Sequence, residues 1–505
     1  MSTARKAKVG AGGLGGPAAG VRGIGLVADK EADPARHGCS PALIVVVNQA
    51  GDTRQWYTGT KELQLASLQL CEACRGAHTV HLRVDRDIPT ALLTTVDGRH
   101  EAPGGGVSSR IPRLRVRRVS WELPSMDLIG DVMDTLAEVE ELFLGDGFNS
   151  SLIVRAWPSG LKNMEFGWQS RFNVPIVGVA WPASLERLTF GGSFNQPIED
   201  VTWPTCLRQL SFRGTFDQPI AEVVWPNALQ KLILGDSFNR SIERVNWPGS
   251  LEEMDLGDAF DRPIEDVTWP TTLQLLTLGD SFNQTIERVE WPFSLRTLNF
   301  GYVFNQPIEG ARWPTSLEGL TFKDLFDQPI DGARWPTSLK RLTFGGLFNQ
   351  PIEGVTWPAS LKQLILSPRF DQPIEGVKWP PALRDLLLFD DFDQPIEGVA
   401  WPSSLEQLML GDRFNHSIEG VTWPKSLWWV SFGDEFDQPI GRVTWPTSLR
   451  WLSFGYSFNQ PIDNVTWPAS LQRLAFGRKF KQPVYSIRWP PSLERLTIEG
   501  RSTSP

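Results

Sequence analysis

Trp181-Pro182-Ala183-Ser184-Leu185-Glu186-Arg187-Leu188-Thr189-Phe190-Gly191-Gly192-Ser193-Phe194-Asn195-Gln196-Pro197-Ile198-Glu199-Asp200-Val201-Thr202 is a unit of 22 residues that begins again at Trp203. The Trp-Pro pair returns at 203, 225, 247, 269, 291, 313, 335, 357, 379, 401, 423, 445, 467 and 489 without a slip, and an earlier copy at Trp157 is offset by two extra residues around Trp168. A period this constant means one structural unit stacked on itself many times.

The apolar positions of the unit are Leu185, Leu188, Phe190, Phe194, Ile198, Val201 and Trp203, with equivalents in nearly every copy. Leu188 and Phe190 alternate with Arg187 and Thr189, which predicts a short strand with one face buried. The following Gly-x-x-Phe-Asx-Gln-Pro-Ile is built of turn formers, and the Pro after Trp removes an amide donor and holds the Trp extended, so the chain bends at both places. One such coil cannot close a core. A buried aromatic contributes about 4–6 kcal/mol, whereas ordering the backbone costs roughly 1–2 kcal/mol for every residue in the coil. Neighbouring coils must therefore share a core, with their strands side by side in parallel and about 4.8 Å apart.

The Asx position recurs beside Phe at Asn195, Asp217, Asn239, Asp261, Asn283, Asn305, Asp327, Asn349, Asp371, Asp393, Asn415, Asp437 and Asn459. A side-chain oxygen accepting from nearby backbone amides explains Asn and Asp equally well, as a corner requires.

Phe194-Asn195-Gln196-Pro197-Ile198, followed by Trp203-Pro204 and Leu207, resembles the FNIP repeat, a variant of the leucine-rich repeat. The resemblance covers about 136–500 in sixteen copies; Trp before Pro departs from the Leu more usual there. It implies a curved, leucine-rich-repeat-like solenoid that binds proteins. The fold expected is thus mainly β: a right-handed leucine-rich-repeat-like solenoid of 22-residue coils with parallel strands, preceded by a small α+β N-terminal domain.

Residues 1–40 have few large apolar side chains and read as a disordered leader, with no acid before Asp29, so that a transit peptide is an alternative. Residues 41–100 read as the small α+β domain, β-grasp-like in one reading: a strand at Leu43–Val47, a return strand at Arg54–Tyr57, an amphipathic helix at Lys61–Arg75, and strands at Val80–Val84 and Ala91–Val96. Residues 101–112 form a glycine-rich linker. Residues 113–138 combine an alternating basic strand with a Pro-initiated helix and read as the N-terminal cap of the solenoid, 139–500 as the repeats, and 501–505 as a polar tail.

Composition narrows the function. Four cysteines, Cys39, Cys71, Cys74 and Cys206, are too few for a disulfide framework and point to a reducing, cytoplasmic setting. No apolar run approaches a membrane span. The net charge is -9, yet residues 1–120 carry 17 Lys or Arg against 10 Asp or Glu, so the repeats are strongly acidic. That argues against nucleic acid and for a basic protein partner.

Buried positions hardly vary, so recognition must lie in those that do. Ile365, Leu387, Met409, Trp429 and Trp451, with Phe389 just past its strand, fall on consecutive coils of the water-facing strand surface. An apolar patch there is costly unless covered, which makes these six the expected partner-binding residues. The competing reading is cover by a segment of the same chain. Cys71, Cys74, His78 and His81 are zinc-like in type, but they are spaced more tightly than a finger, and two of them lie on a predicted helix. Rows of Asp after the strands (Asp236, Asp258, Asp280; Asp390, Asp412, Asp434) suit calcium, basic side chains or a plain solvated rim. Catalysis is not expected, and neither is a cofactor. The alternative, a carbohydrate-binding or polysaccharide-acting β-helix, would need acids or bases that break the repeat locally, and His416 is the only histidine in the repeats.

Overall fold

The computed structural model describes residues 25–28, 43–47, 80–84, 116–121, 139–153, 157–498 and 501–503. Seventeen strands, from β5 (Glu141–Leu144) and β6 (Asn163–Phe166) through β7 (Arg187–Thr189) to β21 (Arg495–Ile498), follow one another at the repeat period, and none of the described residues is helical. Within this run each strand pairs in parallel with its neighbours, in a register that sets every residue beside its equivalent one coil away, as Leu188 beside Leu210. The chain is a parallel solenoid.

Leu185, Leu188, Phe190, Phe194 and Ile198 are fully buried, Trp203 nearly so, and the pattern repeats into one continuous core from Val119 to Leu496. Ring spacing increases across the coil. Between the coils beginning at Trp181 and Trp203, centroids are 5.4 Å apart for Phe190 and Phe212, 6.2 Å for Phe194 and Phe216, and 6.3 Å for Trp181 and Trp203. Further along, Phe432 and Phe454, Phe436 and Phe458, and Trp423 and Trp445 give 5.5, 6.0 and 6.1 Å. Because parallel strands sit about 4.8 Å apart, the coils splay away from the sheet, and the strand face lies on the inside of the resulting curve.

Two side-chain ladders tie the coils together. The Asx side chains do not serve their own corner. Asn195 Oδ1 accepts the Asp217 amide at 3.0 Å, Asp217 Oδ1 the Asn239 amide at 2.9 Å, and so on from Asn149 to Lys481. Lys481, lacking an acceptor, ends the ladder. The Ser of Trp-Pro-x-Ser-Leu donates to a leucine carbonyl one coil back, as Ser316 Oγ to Leu295 O at 2.7 Å. Thr272 makes the same bond to Leu251 O at 2.7 Å, and Gly160, Cys206, Ala228 and Ala382 hold that position in four other coils.

The sheet continues beyond the repeats. β4 (Val116–Trp121) pairs in parallel with β5 and with β3 (Val80–Val84), β3 with β2 (Leu43–Val47), and β2 in antiparallel fashion with β1 (Gly25–Ala28). The strand at 116–121, within the segment expected to cap the solenoid, therefore has a neighbour on both sides, and the strands at 43–47 and 80–84 are parallel neighbours in the solenoid's own sheet. At the other end β22 (Arg501–Thr503), within the stretch read as a tail, pairs antiparallel with β21. The expected strands at 54–57 and 91–96, the helices at 61–75 and 124–136, and the linker lie outside the described residues.

Candidate functional site

Each coil's strand offers two outward positions flanking one buried residue, and the register lines these up into rows. Ile365 of β15 (Gln363–Ile365) stands beside Leu387 of β16 (Asp385–Leu387), which stands beside Met409 of β17 (Gln407–Met409). In the neighbouring row Trp429 of β18 (Trp429–Ser431) pairs with Trp451 of β19 (Trp451–Ser453), and Trp451 with Arg473. The two rows share a face because side chains two apart on a strand point the same way. The structure thus assembles the expected residues into one diagonal apolar stripe. Trp451 is exposed and the others are partly so. The Trp429 and Trp451 rings meet edge to face, 6.3 Å apart at 82°, and the Arg473 guanidinium lies 5.2 Å from the Trp451 ring. Both contacts hold large aromatics in place at a surface.

Beside this stripe is a cavity of about 420 Å³, lined by Phe389 and Met409, by Asp390, Asp412 and Asp434, and by Tyr456 and Arg478. Gly411, Gly433, Gly455 and Gly477 also line it. A Cβ on Gly433 would run into the carbonyl oxygen of Gly411, and one on Gly455 into that of Gly433, so close stacking keeps this row bare and the hollow open. Burial, reinforced by the Asp434 and Asp390 carboxylates, pushes the Asp412 carboxyl above its ordinary range. Along the other Asp row burial does the same to Asp258, with Asp280 and Asp236 adding to it and Lys323 opposing. The pattern search that found the rows did not reveal the hollow, because it depends on what the glycines lack.

Cys71, Cys74 and His78 lie outside the described residues, and of His81 only its backbone in β3 is described. Among the described residues no group of three or more His, Cys, Asp or Glu is placed to hold a metal ion. His416 Nε2 is engaged with its neighbouring coil, 2.7 Å from the Asp393 carbonyl and 3.2 Å from Asp393 Oδ1. No helix among the described residues is long and apolar enough to cross a membrane.

The FNIP repeat model matches residues 216–259, 304–347, 348–386, 392–433, 414–457 and 458–500. The chain is an FNIP-repeat solenoid. It is similar to CroV588, described as a novel circular LRR protein, at 34% identity and a TM-score of 0.70. That alignment covers 91% of this chain and 66% of the other, so the FNIP-repeat chain spans just under two thirds of that relative's length. A chain of the Toll–Spatzle complex from Drosophila, at 13% identity and a TM-score of 0.51 over 88% of this chain and 68% of that one, shares the fold alone. No curated protein matches the chain in sequence. The leucine-rich-repeat-like architecture is therefore common to this FNIP-repeat chain and its structural neighbours, and the matches take in Ile365, Met409, Trp429 and Trp451 of the apolar stripe as well as coils before and after it.

Proposed function

We propose that this FNIP-repeat solenoid is a non-enzymatic scaffold that binds a protein partner on its strand face, through Ile365, Leu387, Phe389, Met409, Trp429 and Trp451, in the reducing setting of the cytoplasm. The observation that carries the reading is the pairing of Trp429 with Trp451 in adjacent strands, continuous with the Ile365-Leu387-Met409 row on a water-facing sheet. Elsewhere the outward strand positions are mostly polar, as at Arg187, Gln209, Thr297 and Arg341, so the stripe departs locally from an otherwise solvated surface. Large aromatics clustered in this way supply much of the binding energy at protein interfaces. The polysaccharide-acting alternative has less support, because the carboxylates here run in regular rows and no acid-base pair breaks the repeat. The test is capture of partners from the native cell with the intact chain and with Trp429→Ser/Trp451→Ser. Specific partners should disappear with the variant, and retention of all of them would overturn the assignment of this face.

A further inference from the structure

The position just beyond the strands reads Asp236, Asp258, Asp280, Tyr302 and, seven coils later, Asp390, Asp412, Asp434, Tyr456. The two lines differ in what they hold. In the first, Lys323 Nζ reaches back to Asp280 Oδ1 at 2.8 Å, and its charge also acts on Asp255 and Asp258. In the second, the residue equivalent to Lys323 is Gly477 and the residue equivalent to Asp255 is Met409. Both line the 420 Å³ cavity, which occupies the place where the first line has its lysine side chain. Among the described residues no cation lies within ion-pair distance of Asp390, Asp412 or Asp434. Arg413 and Arg369 pair instead with Asp391, and Arg478 lines the cavity without pairing.

We propose that this cavity receives a lysine side chain of the bound partner, its ammonium on Asp412 and Asp434 and its methylene stem along Met409 and Phe389, with the partner's neighbouring apolar residues on the Trp429-Trp451 stripe. The proposal rests on the binding-face reading above and adds the partner's chemistry to it. The first Asp line serves as an internal template, showing that this arrangement of carboxylates accepts an ammonium. Replacing Asp255 by Met409 gives the second line an apolar wall of the kind a lysine stem packs against. The negative charge of the repeats favours the same occupant.

The test uses the full chain and a fluorescein-labelled ten-residue peptide of alternating leucine and lysine, with a second peptide carrying glutamine for lysine, read by fluorescence anisotropy. The lysine peptide should bind at least about tenfold more tightly than the glutamine peptide. Asp412→Asn/Asp434→Asn should erase that difference, while Glu353→Gln/Glu375→Gln, two exposed acids away from the strand face, leaves it intact. Trp429→Ser/Trp451→Ser should weaken both peptides. Thermal melts confirm that each variant folds. If the tryptophan variant weakens both peptides while the aspartate variant still prefers lysine, the lysine cavity is wrong and the binding face stands. If neither variant changes binding, both are wrong.

Discussion

Lys323 Nζ lies 2.8 Å from Asp280 Oδ1 although 43 residues separate them in the chain. Stacking brings this about, since equivalent positions in successive coils are neighbours and a long side chain spans one intervening coil. Lys323 stands where most coils have glycine, so its side chain rises from the floor of the first Asp line. Both partners are well exposed, and the pair therefore contributes little to stability, about 0–1 kcal/mol.

Its removal should matter for binding. Lys323→Gly, which installs the residue most coils have there, is expected to leave the melting temperature nearly unchanged and to uncover a second ammonium site, raising the stoichiometry of the leucine-lysine peptide from one to two by isothermal titration calorimetry. A stoichiometry that stays at one would show that the two Asp lines are not equivalent.

The Asp412 carboxyl is held above its ordinary range by burial and by Asp434 and Asp390. A carboxyl whose folded-state pKa is raised favours the folded state when protonated, so its unfavourable contribution is present at neutral pH and disappears as pH falls through the carboxylate range. Asp412→Asn should accordingly melt higher than the parent near pH 7, with the gap closing on acidification. A gap that widens as pH falls would contradict this.

Asn305 Oδ1 accepts from the Asp327 amide and from Gln328 Nε2, both at 3.0 Å. Asn305→Ala strands the Asp327 amide between coils and should cost about 1–3 kcal/mol in urea unfolding. Asn305→Asp keeps the acceptor, as Asp does in several other copies, and should cost much less. Equal losses from the two would show that the ladder is not what holds this corner.

Ala382 occupies the ladder position filled by serine on either side, where Ser360 donates to Leu339 O and Ser404 to Leu383 O at 2.7 and 2.6 Å. Ala382→Ser should gain the missing bond to Leu361 O and stabilise by about 0.5–1.5 kcal/mol, read as a higher urea midpoint. No gain would mean that the coil has relaxed around alanine.

From Trp157 to Trp467 the indole Nε1 of each Trp-Pro tryptophan is buried without a hydrogen-bond partner. The row is thus held by its hydrocarbon and stacking, as between Trp335 and Trp357 at 6.4 Å. Trp335→Phe, which removes an orphan donor along with some area, should cost under about 1.5 kcal/mol, whereas Phe348→Ala in the neighbouring aromatic row should cost about 3–5 kcal/mol. Comparable losses would indicate an unseen acceptor for the indole.

The repeat made the coil legible. Leu188 and Phe190 alternate with Arg187 and Thr189, and a core that one coil cannot close forces parallel stacking, so the strand positions, the buried rows and the apolar stripe all followed from side-chain type and spacing. Sequence alone could not say that Asn195 and Ser316 bond to other coils, because a partner 22 residues away looks remote in the chain and is adjacent only after stacking. It also left open how far the sheet runs: β2 and β3 have no repeat motif, and their place in the sheet, β3 beside β4 and β2 beside β3, is a matter of pairing. The hollow beside Asp412 depends on side chains that Gly433 and Gly455 do not have and on a lysine that Gly477 replaces. The period determined what each coil buries and what it turns outward. Tertiary structure alone decided which outward groups meet, because it converts a separation of 22 residues into one strand spacing.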